Sequence, residues 1–153
     1  GATACADAVA SSPLENAYAS PEALAEAAIA ALVAQDEAAL AALAVGRDEY
    51  EMLLWPELPD GEHVTFDFVW GMSQPRTRKA RRTQLRDYEG VPLEIVRVEL
   101  GDESEVYESF TLHEDGRLIV RNRDTGQEGQ IPLMDVLVEM DGAWKFLNFR
   151  DDL

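Results

Sequence analysis

Residues 131–149 read IPLMDVLVEMDGAWKFLNF, two apolar segments joined by Asp141-Gly142. Asp-Gly favours a two-residue hairpin turn, because both residues of that turn need a positive φ. The turn sets the register of the two strands, and opposite residues form pairs on two faces. The pairs on one face are Met140 with Ala143, Val138 with Lys145, Val136 with Leu147 and Met134 with Phe149. The pairs on the other face are Glu139 with Trp144, Leu137 with Phe146, Asp135 with Asn148 and Leu133 with Arg150. Both faces carry apolar side chains, so we expect both to be covered, one by helices and the other by a second copy of the sheet.

The sequence before this hairpin continues the same spacing back to Gly90. Apolar residues at every second position predict five strands, namely Leu93–Leu100, Glu105–His113, Arg117–Arg123, Ile131–Met140 and Ala143–Phe149. The links between them are short, which favours antiparallel neighbours paired in chain order as a meander.

Helical spacing predominates before Gly90. Ser20-Pro21-Glu22 predicts the start of a first helix, Asp36 caps a second that Gly46 closes, and Asp48 caps a short third that ends at Trp55–Pro59. Thr65 is the expected cap of a helix over 65–74, which Pro75 interrupts before a basic helix over about 76–89. The 153 residues therefore predict a single α+β domain, with N-terminal helices packed on a curved antiparallel sheet.

The order of elements over about 20–150, with the final hairpin Asp141-Gly142-Ala143-Trp144-Lys145-Phe146, resembles the nuclear transport factor 2-like superfamily. That resemblance implies a cystatin-like cone, in which the sheet wraps the helices around a pocket, and often a dimer formed through the sheet. Members of the superfamily include isomerases, dehydratases and polyketide cyclases as well as non-catalytic binding domains. The resemblance therefore implies a pocket but no particular reaction.

Charge restricts the class of partner. Thirty acids against thirteen bases give a net charge of −17. Such a field repels nucleic acid and anionic lipid, so we expect no nucleic-acid partner. No apolar run approaches the roughly 18 residues of a membrane-spanning helix.

The N-terminal stretch predicts export. Ala2-Thr3-Ala4 fits a small-x-small cleavage site, and Thr3-Ala4-Cys5 resembles the tail of a bacterial lipoprotein box. Cys5 is then the residue that would carry lipid, and this anchor is the one membrane contact that we expect. We interpret residues 1–19 as a flexible exported tether and 20–153 as the domain.

Two sets of residues are candidates for a site. The first would line a pocket and comprises Tyr50, Trp55, Trp70, Tyr88, Asp135 and Asn148. Beside Leu133, Leu137 and Phe146, Asp135 could act as a general base, since desolvation raises the pKa of a carboxyl group. The alternative for the aromatic residues is a place in the core, and for Asp135 an ion pair with Arg150.

The second set lies in the basic helix. Six of the thirteen bases fall within residues 76–86, which contain no acid. Arg78, Arg82 and Arg86 share one face at a spacing of four residues, as an anion site or a docking stripe for an acidic partner would require. The alternative is a solvated helix face that offsets acids elsewhere.

Other site classes find no support in the sequence. His63 and His113 are interpreted as loop residues without metal-ligand spacing, and we expect neither a metal nor a cofactor. The resulting hypothesis is an exported, non-catalytic domain that binds a small apolar ligand or a protein. The alternatives are an isomerase or dehydratase that uses Asp135, and a structural dimer or docking module that uses the arginine stripe.

Overall fold

The computed structural model describes residues 12–59 and 63–148. Helices precede antiparallel strands along the chain, so the predicted α+β class is confirmed. Cys5, the candidate for lipidation, lies outside the described residues, as do Phe149 and Arg150 of the predicted hairpin register.

Three predicted helix caps are confirmed. The helical elements are α1 (Pro21–Ala34), α2 (Glu37–Ala41), α3 (Arg47–Glu49), a π-helical turn (Tyr50–Leu54), a 3-10 turn (Trp55–Glu57) and α4 (Phe66–Asp87). Side-chain oxygens of Ser20 and Asp36 each accept a hydrogen bond of 3.0 Å from the backbone N–H three residues later, at α1 and α2. Thr65 caps α4 in the same way. These caps satisfy N–H groups that have no partner inside a helix.

The predicted roles of Gly46 and Asp48 are wrong. The second helix ends at Ala41, and Gly46 instead stands at the N-cap of α3, which already contains Asp48. The carboxylate of Glu49 accepts a hydrogen bond from Gly46 N at 2.9 Å. Glu49, three residues after the N-cap, thus satisfies the free N–H of Gly46. Asp48 forms no such capping bond.

Pro75 does not interrupt the basic helix, contrary to the prediction. The helix α4 runs from Phe66 to Asp87 with Pro75 inside it. Proline removes one bond of the ladder, the one to the carbonyl of Gly71 four residues earlier. Both residues are exposed, so water can reach that carbonyl, and the remaining bonds carry the helix through.

Within residues 12–59 and 63–148, seven strands replace the five predicted ones. They are β1 (Leu93–Glu99), β2 (Ser104–Val106), β3 (Thr111–Glu114), β4 (Arg117–Asn122), β5 (Glu128–Ile131), β6 (Val136–Met140) and β7 (Ala143–Phe146). A turn closed by a hydrogen bond from Tyr107 N to Phe110 O at 2.8 Å divides the second predicted strand. Pro132 divides the fourth, because it has no N–H to continue a ladder.

The strands form two sheets, which corrects the predicted meander. The first has the order β1-β4-β5 and the second the order β2-β3-β6-β7. Within the described segments the chain crosses between the sheets three times, from β1 to β2, at Gly116 and near Asp135. At the last two crossings Gly116 N donates to Asp135 O at 3.3 Å. A Cβ at Gly116 would collide with the carbonyl oxygen of Met134, so glycine permits the second and third crossings to lie side by side.

The last hairpin has the predicted turn and register. Asp141 and Gly142 both have positive φ, 53° and 78°. Pairing joins Met140 to Ala143, Glu139 to Trp144, Val138 to Lys145 and Leu137 to Phe146. Beyond these pairs, Leu147 N donates to Val136 O at 3.1 Å, which extends the same register.

Both faces of the second sheet are covered by the same chain. One core cluster joins α1, α2 and α4 to the first sheet and to Leu137 and Phe146. On the other face, Leu14, Val45 and Leu54 pack with Val138. A second copy is therefore not needed to cover this face, and a homodimer through the sheet stays a prediction.

Residues 12–19 differ from the predicted tether. Leu14 and Ala17 are buried, and Tyr18 forms an antiparallel bridge with Trp144, with backbone hydrogen bonds of 3.1 and 2.7 Å. Apolar burial and these two bonds fix a segment whose composition alone indicates no period. The tether prediction for residues 1–11 lies outside the described residues.

Candidate functional site

A groove with basic walls runs along the exposed side of α4. It has a volume of about 590 Å³ and is lined by Pro75, Arg78, Lys79, Arg82, Thr83 and Arg86. We call these six residues the basic groove. The predicted arginine stripe forms its length, with successive arginines about 6 Å apart along the helix axis.

Helical periodicity explains why the basic groove faces solvent. Thr77, Ala80 and Gln84 are buried and recur at spacings of three and four, so they mark the side of α4 that packs on the core. Arg78, Arg82 and Arg86 repeat at the same pitch on another side, and all three are exposed. The stripe thus lies on a helix whose other side packs on the core, and its charges remain in water.

Much of this positive charge is not neutralised locally. Arg82 Nε lies 3.6 Å from Glu37 Oε1, and Arg86 Nε lies 3.6 Å from Asp87 Oδ1. Such exposed pairs contribute about 0–1 kcal/mol and exchange readily. Arg78 and Lys79 form no ion pair with any residue of the described segments. The groove can therefore accept carboxylates from outside.

Three of the predicted pocket residues meet in one aromatic cluster. Tyr50 and Trp70 have ring centroids 5.9 Å apart, and Trp55 lies 5.6 Å from Phe66. Phe66 and Trp70 stack at 5.8 Å, so the four rings fill the space between them. Tyr88 instead packs against the core cluster that joins the helices to the first sheet, and burial raises the pKa of its hydroxyl. Tyr50, Trp55 and Trp70 therefore pack in one cluster with Phe66. The four predicted aromatic residues, which include Tyr88, do not line one common cavity in the described structure.

Asp135 and Asn148 lie at the end of the second sheet and are both half-buried. The backbone carbonyl of Asp135 is the acceptor at the crossing to Gly116. The Asp135 carboxylate also contributes to a group of acids around Glu114. Desolvation is the main cause that raises the pKa of Glu114. The negative charges of Glu105 and of other nearby carboxylates, including Asp135, raise it further. The role of Asp135 as a general base stays a prediction.

His113 belongs to β3 and not to a loop, which corrects its interpretation. Its Nε2 lies 2.9 Å from Glu139 Oε1, and its ring lies 4.6 Å from the Trp144 ring, centroid to centroid. These residues occupy neighbouring strands, and the observed strand order β3-β6-β7 brings them together. The predicted meander placed β4 beside β3, so it gave no sign of this contact. His63 lies in an exposed turn, as predicted.

Sequence reasoning missed the buried ion pair between Lys145 and Glu49. The Lys145 side chain is 2% exposed and its Nζ lies 2.8 Å from Glu49 Oε1. Although burial raises the pKa of Glu49, hydrogen bonds from Lys145 and from the N–H groups of Gly46 and Glu15 lower it below its ordinary value. The predicted register placed Lys145 on an apolar face, and this position was the one sign that its ammonium group would be buried. No local pattern indicated that Glu49 would be its partner.

Comparisons with protein-family models, with curated proteins and with solved structures gave no match for this chain. The described segments contain no cluster of three or more His, Cys, Asp or Glu side chains placed to bind a metal ion. Among the helices in those segments, none has both the length and the hydropathy of a membrane span. The site is thus defined by its own geometry and charge.

Proposed function

We propose that this protein is a non-catalytic docking module, and that the basic groove binds an acidic segment of a partner protein. One observation carries the proposal: an exposed stripe of arginines, with Arg78 and Lys79 lacking ion pairs to described residues, on a chain of net charge −17. Electrostatic complementarity of this kind mainly sets specificity and the association rate.

The spacing of the stripe favours an acidic helix as the partner segment. Arg78, Arg82 and Arg86 span nine residues of α4, about 12 Å along its axis. A partner helix with Glu at three positions four residues apart presents carboxylates at the same interval. Arginine is well suited to this role, because its planar guanidinium can bind a carboxylate through two hydrogen bonds.

Two other anionic partners fit less well. Nucleic acid and anionic membranes present long, dense arrays of charge, which the −17 field opposes beyond the stripe itself. A short acidic helix contacts only the stripe and so encounters less of this repulsion. The affinity we expect is modest and strongly dependent on salt, since each exposed pair contributes about 0.2–1 kcal/mol.

The other hypotheses from the sequence stay proposals. Binding of a small apolar ligand by Tyr50, Trp55 and Trp70 would require the cluster to open, because those rings pack on one another. An enzyme that uses Asp135 would require a substrate site at the end of the second sheet. Export, with Cys5 as a lipidated residue, is likewise a proposal, and mass spectrometry of the mature protein from its host would test it.

A fluorescent synthetic peptide tests the docking function. The probe is a helix-forming peptide with Glu on one face at three consecutive turns, and its binding to the full chain is followed by anisotropy. We expect binding to weaken as salt rises from about 20 to 200 mM, because screening weakens exposed ion pairs. The variant Arg78→Glu/Arg82→Glu should weaken binding by about tenfold or more, which corresponds to roughly 1.4 kcal/mol.

Two controls separate the stripe from a general effect of charge. Arg117→Glu changes an exposed arginine on β4 by two charge units, the same change as each of the two groove substitutions makes, and should leave binding nearly unchanged. A peptide with Gln in place of Glu should not bind. If the Arg78/Arg82 variant binds as tightly as the parent, or if Arg117→Glu weakens binding equally, the basic groove is not the docking site. Tighter binding to a single-stranded oligonucleotide would favour a nucleic-acid function instead.

A further inference from the structure

The edge of the first sheet carries an unused set of backbone hydrogen-bonding groups. Among the described strands, β4 is the one neighbour of β1 in that sheet. Arg123 N donates to Pro92 O at 2.9 Å, so Leu93 and Asn122 are a non-hydrogen-bonded pair in the antiparallel ladder. The N–H and C=O groups of Leu93 and Ile95 therefore point away from β4. No residue of the described segments forms a backbone hydrogen bond to them.

A groove lies beside this edge, between α1 and β1. Its volume is about 580 Å³, and it is lined by Glu26, Ile29, Ala30, Val33, Ala34, Leu93, Ile95 and Arg123. Most of these residues are apolar, and Val33 at the centre of the helical side is 48% exposed. Exposed apolar surface beside unpaired strand groups is the combination at which another strand can be added to a sheet.

We propose that a second copy of this chain occupies the groove, by pairing β1 with β1 across a two-fold axis at Glu94. In that arrangement Leu93 faces Ile95 of the partner subunit, and the reverse pair forms on the other side of the axis. The N–H and C=O groups of both residues would then be paired in each subunit. Two three-stranded sheets would become one continuous sheet, with the two copies of α1 side by side on the same face.

Self-complementarity favours a second copy over a foreign chain. The groove carries one acid, Glu26, and one base, Arg123, and neither forms an ion pair with any residue of the described segments. A two-fold interface brings the same patch from both subunits together, so a patch with both signs of charge can match itself. The helical side is built from Ala30, Val33 and Ala34, and such small side chains permit two helices to approach closely.

Electrostatic repulsion opposes this association and determines how the dimer should respond to salt. Glu94 would face Glu94 of the partner subunit, although each is already paired with Arg121 at 3.2 Å. Two chains of −17 also repel each other at long range. The dimer should therefore strengthen as salt rises, because screening weakens the repulsion while apolar contact remains. The basic groove on α4 predicts the opposite dependence for its acidic partner, so the two proposals are tested independently.

Sedimentation velocity of the full chain tests the dimer. At about 0.5 M salt, where the screening length is only a few Å, we expect a concentration-dependent species of twice 17.0 kDa. Val33→Arg places two charges against each other across the axis and should leave only the 17.0 kDa species. The control Val106→Arg makes the same change at a valine of β2 that is 79% exposed, and it should dimerise like the parent.

Hydrogen exchange provides a second measurement that does not depend on any variant. The amides of Leu93 and Ile95 should exchange more slowly as protein concentration rises, whereas those of the exposed strand β2 should not change. A parent chain that remains at 17.0 kDa in high salt overturns the proposal. A dimer that survives Val33→Arg, or whose Leu93 and Ile95 amides gain no protection, also overturns it, because the copies then meet elsewhere.

Discussion

Replacement of Lys145 tests how much the buried ion pair contributes to stability. In Lys145→Met the chain keeps a long apolar side chain, but Glu49 loses its ammonium partner. The Glu49 side chain is only 14% exposed, so water replaces that partner poorly. Loss of one member of a buried pair costs about 3–5 kcal/mol. That is a large fraction of the roughly 5–15 kcal/mol by which domains are stable.

Urea unfolding followed by circular dichroism measures this free energy. For a chain of this length, the expected loss corresponds to roughly 6–20 °C in Tm, at about 2–4 °C per kcal/mol. The double variant Glu49→Leu/Lys145→Met removes both charges and should recover most of the loss, since a buried pair and its apolar replacement often have similar stabilities. A double-mutant cycle then isolates the coupling between the two side chains.

A small loss of unfolding free energy in Lys145→Met would refute this reasoning. If Lys145→Met costs less than about 1 kcal/mol, the pair behaves like a surface salt bridge, and Lys145 is solvated in solution. If the double variant is as unstable as the single one, the cost comes from lost packing and not from an unpaired carboxylate.

Further perturbations test other parts of the fold. The lowered pKa of Glu49 means that its folded form stays ionised to lower pH than its unfolded form, so its stabilisation is present above the unfolded pKa and lost as pH falls through the folded value. The stability difference between the parent and Glu49→Gln should therefore shrink below about pH 4, as measured by urea unfolding at each pH. Gly116→Ala should cost about 1–3 kcal/mol in the same assay, because its Cβ collides with the carbonyl of Met134. Gly129→Ala, where a Cβ has open space, is its matched control. His113→Ala should change tryptophan fluorescence through loss of the ring contact with Trp144, and an unchanged spectrum would contradict that contact. Asp135→Asn should leave binding of the acidic peptide within about twofold, a change of roughly 0.4 kcal/mol, whereas loss of binding would place Asp135 in the docking site.

Local physical chemistry explains what the sequence predicts well. Ser20, Asp36 and Thr65 cap helices because a side-chain oxygen reaches an N–H three residues away, an interaction that needs no tertiary context. Asp141-Gly142 determines the last hairpin for a similar reason, since the turn alone sets the register. The exposure of the arginine stripe also follows from periodicity within one helix.

Interactions between distant segments explain the errors. Short links suggested that β3 and β4 would pair, yet the chain changes sheets at Gly116, and β4 joins β1 and β5 instead. At this crossing Gly116 lies against Met134, eighteen residues later in the chain. The partner of Lys145 is equally remote, since Glu49 lies 96 residues earlier. Spacing along one element contains no information about either contact.

The three crossings between β1 and β7 also constrain how the C-terminal half can fold. Strands of the first sheet alternate along the chain with strands of the second, and β7, the last strand, completes a sheet that β2 begins. A protease cut anywhere between Leu93 and Phe146 therefore leaves at least one sheet without a strand that it needs. We expect no stable subdomain to survive such a cut, and we expect the strands to be lost in one cooperative transition.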